Sequence, residues 1–159
     1  MKNMQWNLAR ILLLFCAIHF SSCTENQPLH SSWVKTGEDI QWSKSNILTT
    51  QLSIDENSKP VKLIAGLRVA SGYAYDRLLV RMTQTAPDGK RTITDLDIPV
   101  KDAKGEFLGE KGFDIIDIEY EINPNFTFPM IGDYTYTFEQ TTPNVDPLHF
   151  VMELGVVVR

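Results

Sequence analysis

The chain has 159 residues, with 15 Lys and Arg against 20 Asp and Glu, a formal charge of −5 and 43% hydrophobic residues. That length suits one domain with a core of its own, and the acidic balance argues against nucleic acid and against an electrostatic hold on anionic lipid. Only two cysteines are present, Cys16 and Cys23, so a disulfide framework is excluded as the basis of the fold.

The first element is a leader. Lys2 and Arg10 supply positive charge, Ile11 to Ile18 form an apolar run, and Phe20-Ser21-Ser22-Cys23 follows, with small residues where a signal peptidase would cut. The run is far shorter than the roughly 20 residues a membrane-spanning helix needs, so it reads as a removed signal of the bacterial lipoprotein kind. Residues 1–22 are the expected leader and Cys23 the expected lipid-attachment site. A diacylglyceryl group on its thiol and an acyl chain on its amine, at roughly 0.8 kcal/mol per buried CH2, would hold the protein to a membrane. Removing 22 residues from 159 leaves 137, with 13 basic residues against 20 acidic ones. Acylation, not charge, is then the membrane contact. Covalent lipid is the only non-protein group expected; no thiol remains for a metal, a disulfide or a nucleophile.

Residues 23–33 form the next segment. Thr24 to Ser32 is polar, contains Pro28 and has no periodicity, which predicts a mobile tether. The folded domain is expected over 34–159. Within it, apolar residues recur with period two: Leu48, Thr50, Leu52, Ile54; then Leu63, Ala65, Leu67, Val69; then Leu78, Val80, Met82. Pro87-Asp88-Gly89 predicts a hairpin turn. Ile93, Leu96 and Ile98 break phase near Thr94-Asp95, which predicts a β-bulge or a change of sheet. Ile116, Ile118, Tyr120 and Ile122 alternate with Asp117, Glu119 and Glu121, one side apolar and the other solvated. Gly132-Asp133-Tyr134 opens a strand as a tyrosine corner does. The last strand alternates Phe150, Met152, Leu154, Val156 and Val158, and Val151 and Val157 on its other face predict a central place in a sheet. No stretch has a helical stripe. The fold class is all-β, an antiparallel β-sandwich of seven to eight strands, immunoglobulin-like or jelly-roll-like.

Chemistry-bearing residues are sparse. The mature chain has two histidines, His30 and His149, neither near a triad or a zinc pattern, so no catalytic residue and no metal site is assigned. Asp114, Asp117, Glu119 and Glu121 could share a hard cation, but a solvated strand face accounts for them better. Arg68, Arg77 and Arg81 fall on outward faces of neighbouring strands, either paired with acids such as Asp76 and Glu119 or offered for recognition. Tyr73 and Tyr75 lie in a loop that would project their rings outward as contacts. Trp33 and Trp42 precede the first strong strand and are expected to pack against the sandwich rather than to form a sugar platform. These five residues, Arg68, Tyr73, Tyr75, Arg77 and Arg81, are the candidate protein contacts.

The order of features from Trp33 onward resembles the gliding-motility lipoprotein H family. The matching residues are Trp33, Leu67-Arg68, Tyr73-x-Tyr75, Leu78-Leu79-Val80, Asp88-Gly89, Gly105-Glu106-Phe107-Leu108-Gly109, Asp117 to Tyr120, Phe128-Pro129-x-x-Gly132-x-Tyr134-x-Tyr136, Glu139-Gln140 and Leu154-Gly155-Val156. The resemblance implies an outer-membrane lipoprotein associated with the gliding and type IX secretion apparatus; the periplasmic face is expected in preference to the cell surface. It implies no enzymatic activity and supplies no catalytic residues. The expected function is a non-enzymatic assembly component that touches other envelope proteins, with no nucleic acid and no small-molecule ligand. The alternative is a surface glycan-binding module, which would carry a row of exposed aromatics.

Overall fold

A computed structural model describes residues 27–159; the leader and Cys23 lie outside the described residues. Eleven strands follow in order: β1 (His30–Lys35), β2 (Gln41–Trp42), β3 (Leu48–Ile54), β4 (Val61–Ala70), β5 (Arg77–Thr85), β6 (Arg91–Pro99), β7 (Glu110–Lys111), β8 (Ile115–Phe126), β9 (Gly132–Gln140), β10 (Leu148–His149) and β11 (Val151–Val158). Three of these have only two residues, which accounts for the excess over the seven or eight expected. All pairings are antiparallel. One sheet runs β1-β11-β4-β8-β7, the other β3-β9-β5-β6, and β10-β2 is a small separate ribbon. The two main sheets pack as a sandwich.

Period-two patterning puts one set of side chains between the sheets. In β3, Leu48, Thr50, Leu52 and Ile54 are buried while Thr49, Gln51 and Ser53 are exposed. Leu67, Val69, Leu78, Val80, Tyr134, Tyr136, Phe138 and Val156 form the middle of the core, all at 1% exposure or less. Strand β11 lies between β1 and β4, the central place its two apolar faces predict. Tyr134 closes its corner as expected: its hydroxyl donates to the Met130 carbonyl at 2.8 Å and accepts from the Met130 N–H at 3.3 Å. The turn after β5 also forms as read, with Gly89 at φ 84° and the Asp88 carboxylate accepting from Lys90 N–H at 2.9 Å.

Three expectations are corrected. The tether ends sooner, because His30 to Lys35 pair with Val158 to Glu153 as an edge strand. Its apolar alternation is hidden because the inward position Ser32 is polar, satisfied by Thr50 Oγ1 at 2.5 Å. No bulge interrupts β6, which pairs with β5 in unbroken register from Arg77↔Pro99 to Thr85↔Arg91. Ile93 is simply an exposed residue on the outer face, and Thr94 takes the inward position. The bulges lie instead in the β4–β8 ladder around Leu63 and in β11 between Val151 and Glu153. The second one shifts the phase, so Val151 is buried while Phe150, at φ 66°, is exposed.

Candidate functional site

The two long sides of the sandwich differ. On one, β1 and β3 run alongside each other and are joined by the Ser32–Thr50 hydrogen bond. On the other, β6 and β8 leave a seam, with an opening of about 240 Å³ between Thr92 on β6 and Phe126 on β8. Strand β7 covers β8 only at Ile116 and Asp117, so most of β8 has a free edge.

The outer face of the five-stranded sheet is read from its register. Trp33, Gly155, Gly66 and Glu119 stand in one row, and Lys35, Glu153, Arg68 and Asp117 in the next. The Trp33 indole lies across the two glycines, where any Cβ would overlap its ring, and is itself 37% exposed. Beside it the Arg68 guanidinium donates to both Asp117 carboxylate oxygens, at 2.7 and 3.1 Å, and to Glu153 at 3.0 Å. The hydrogen bond it donates to Asp117 is the main cause of its raised pKa, partly opposed by burial. At the far end of the row Arg159 pairs with Glu119 through both terminal guanidinium nitrogens. A groove of about 580 Å³ then opens between Leu108–Glu110 on one wall and Asp117, Glu119 and Arg159 on the other.

The five candidate contact residues do not converge. Arg68 belongs to one sheet, while Arg77 and Arg81 lie on the outer face of the other, because the chain crosses between sheets in residues 71–76. Arg77 pairs with Asp97, and Arg81 binds Asp95 bidentately at 2.8 and 3.2 Å. None of the three uses Asp76 or Glu119. The Arg81 hydrogen bond holds the Asp95 carboxyl below its ordinary range. Tyr73 does not project: it is 1% exposed, its hydroxyl donates to the Arg77 carbonyl at 3.0 Å, and burial pushes its phenol pKa upward. Tyr75 alone of the pair is exposed, edge-on to Tyr73 at 5.7 Å between centroids. Trp42 is fully buried, donating from its indole to Asn46 O at 2.8 Å.

Sequence reading missed the exposed apolar residues at one end of the sheet. Phe113 stands at the tip of the β7–β8 turn, fully exposed, with Ile115 and Phe150 in the neighbouring row. Of the acidic residues on β8, Asp117 and Glu119 are in ion pairs, and no group of three or more His, Cys, Asp or Glu is arranged to hold a metal among the described residues. No helix among them is long and apolar enough to cross a membrane.

Residues 32–158 match the family model described as GldH lipoprotein. The chain belongs to the GldH lipoprotein family. No curated protein matches it. Among solved structures it is similar to one titled "Family 16 Carbohydrate Binding Module-2", at 5% identity and a TM-score of 0.27, covering 75% of this chain and 74% of that one. A likeness at that level carries no argument about ligand.

Proposed function

We propose that the protein is an acylated envelope component, held at the periplasmic face of the outer membrane through Cys23. It serves the gliding and type IX secretion apparatus by binding another envelope protein, without catalysing a reaction or holding a cofactor beyond its lipid. The family match over most of the mature chain carries this reading. Two observations support it: Arg68, Arg77, Arg81 and Arg159 are each committed to carboxylates, and exposed Phe113, Ile115 and Tyr75 resemble contact residues more than a substrate cleft. Labelled palmitate fed to cells should appear in the wild-type protein and be absent from Cys23→Ala, which should leave the membrane fraction. Co-purification from solubilised membranes should recover an envelope protein. Recovery of this chain alone, with gliding and secretion intact after its deletion, contradicts the proposal.

A second reading, a glycan-binding module, rests on Trp33, whose ring lies flat on a glycine floor. Tyr134, Tyr136 and Phe138, an alternating aromatic row on the other sheet, face the core and add no exposed platform. Retardation on immobilised envelope polysaccharide that is lost in Trp33→Ala would favour this reading over the first.

A further inference from the structure

The free edge of β8 has a direction. Across the β7–β8 turn Gly112 N–H donates to the Ile115 carbonyl at 2.8 Å, so Ile115 aims its backbone groups away from β4. Period-two alternation then aims the N–H and C=O of Glu119 and Glu121 the same way. Strand β7 ends opposite Asp117, so beyond it the backbone groups of Glu119 and Glu121 face no neighbouring strand, and Glu119 borders the 580 Å³ groove. Along the same edge Tyr120, Ile122 and Phe126 are half-buried against the core, with apolar surface left at the rim. An exposed edge of this length with unsatisfied backbone groups is a template for pairing.

Charge distinguishes this edge from β6. On β6 the outward Asp95 and Asp97 are neutralised by Arg81 and Arg77. Beside β8 stand four carboxylates, Glu110, Asp117, Glu119 and Glu121, of which only Asp117 and Glu119 are ion-paired among the described residues.

We propose that β8, from Glu119 to Asn123 and stopping before Pro124, which has no N–H to give, is a strand-addition site. Its occupant is an extended segment of another envelope protein in which apolar residues alternate with Lys or Arg. The segment continues the line of β7, gives its backbone to Glu119 and Glu121, covers Tyr120 and Ile122 with its apolar side, and sets its cations against Glu110 and Glu121. This rests on the protein-contact reading above and names where the contact is made.

The test is photo-crosslinking in living cells from the full-length, acylated protein, with the reactive side chain placed at Asn123, at Gln51 on β3, or at Phe113. The expected result is an adduct from Asn123 to one envelope protein, mapped by mass spectrometry to a segment of alternating apolar and basic residues. Glu121→Pro removes one N–H that points away from β4, so the fold is kept, and the adduct should fall about tenfold, as expected for one lost backbone bond. Should that variant fail to fold, Glu121→Lys, which reverses the charge only, should lower the yield likewise. Adducts from Gln51 or Phe113 but not Asn123 overturn the edge assignment and leave the protein-contact reading standing. An Asn123 adduct to a second copy of this chain overturns the proposed partner. No adduct from any position overturns both.

Discussion

The β1–β3 side of the sandwich and the β6–β8 side bury similar kinds of residue and end differently. At β1 the sheet is sealed: Ser32 bonds Thr50 across the gap, Val34 packs on the core, and Trp33 folds over Gly66 and Gly155 on the outer face. At β8 the sheet is left open, with Tyr120, Ile122 and Phe126 only half-buried and a two-residue strap in place of a full neighbour. Closure takes a large side chain over residues with none; an open edge takes charge and a rim of partly covered apolar surface. The first is the work of folding, and the second suits later assembly.

The largest expected effect is on the closed side. In Gly155→Ala the new methyl meets both the Trp33 ring and the Ser32 carbonyl at 2.7 Å, and backbone cannot step aside. A loss of about 2–3 kcal/mol is expected, read as a lower denaturant midpoint with unchanged slope. On the open side Ile122→Ala, at a half-buried position, should cost only about 1 kcal/mol, below the 2–5 kcal/mol of a fully buried Ile. Equal losses at the two positions would erase the distinction between the sides.

Two tyrosines on β9 sharpen it further. Tyr134 lines the opening at the β6–β8 seam and its hydroxyl is satisfied by Met130, so Tyr134→Phe should destabilise by about 1 kcal/mol. Tyr136 stands opposite Thr50 toward the sealed side, and its buried hydroxyl has no hydrogen-bond partner among the described residues. Tyr136→Phe removes an unsatisfied polar atom and should be neutral or stabilising by up to about 1 kcal/mol. A thermal midpoint lower in both variants would show that Tyr136 has a partner after all.

The smallest effect is electrostatic. Asp95 is held below its ordinary value of 3.8 by Arg81, so its pairing stabilises the fold above that value and the contribution disappears as the pH falls through the depressed one. The thermal midpoints of wild type and Asp95→Asn should therefore differ slightly at neutral pH and converge in acid. The exposure of both side chains, 46% for Arg81 and 67% for Asp95, keeps the difference small.

Much of this fold is legible in the sequence, and the reasons for the remainder are physical. Leu48 to Ile54, Leu78 to Met82 and Ile116 to Ile122 announce their strands because each has one wet face. Strand β1 does not, since its inward Ser32 is polar and its outward Trp33 is apolar, the reverse of the usual pattern. Gly66 and Gly155 are 89 positions apart in the chain, and only the register shows that they form one floor. Arg68 and Arg77 look like neighbours in sequence, yet the intervening crossover sends them to opposite faces. Tyr73 and Tyr75 share a loop, and which ring turns inward depends on the Arg77 carbonyl. Edges are the least legible feature, because periodicity says which face of a strand is buried and nothing about which strand lies beside it.

The most direct measurement is amide hydrogen exchange along β8 in the purified, acylated protein, without its partner. Ile118 and Tyr120, bonded to β4, should be strongly protected, while Glu119 and Glu121, which alternate with them, should exchange near the rate of an unstructured chain. Uniform protection from Ile118 to Glu121 would mean that the edge is already paired, and would contradict an open site.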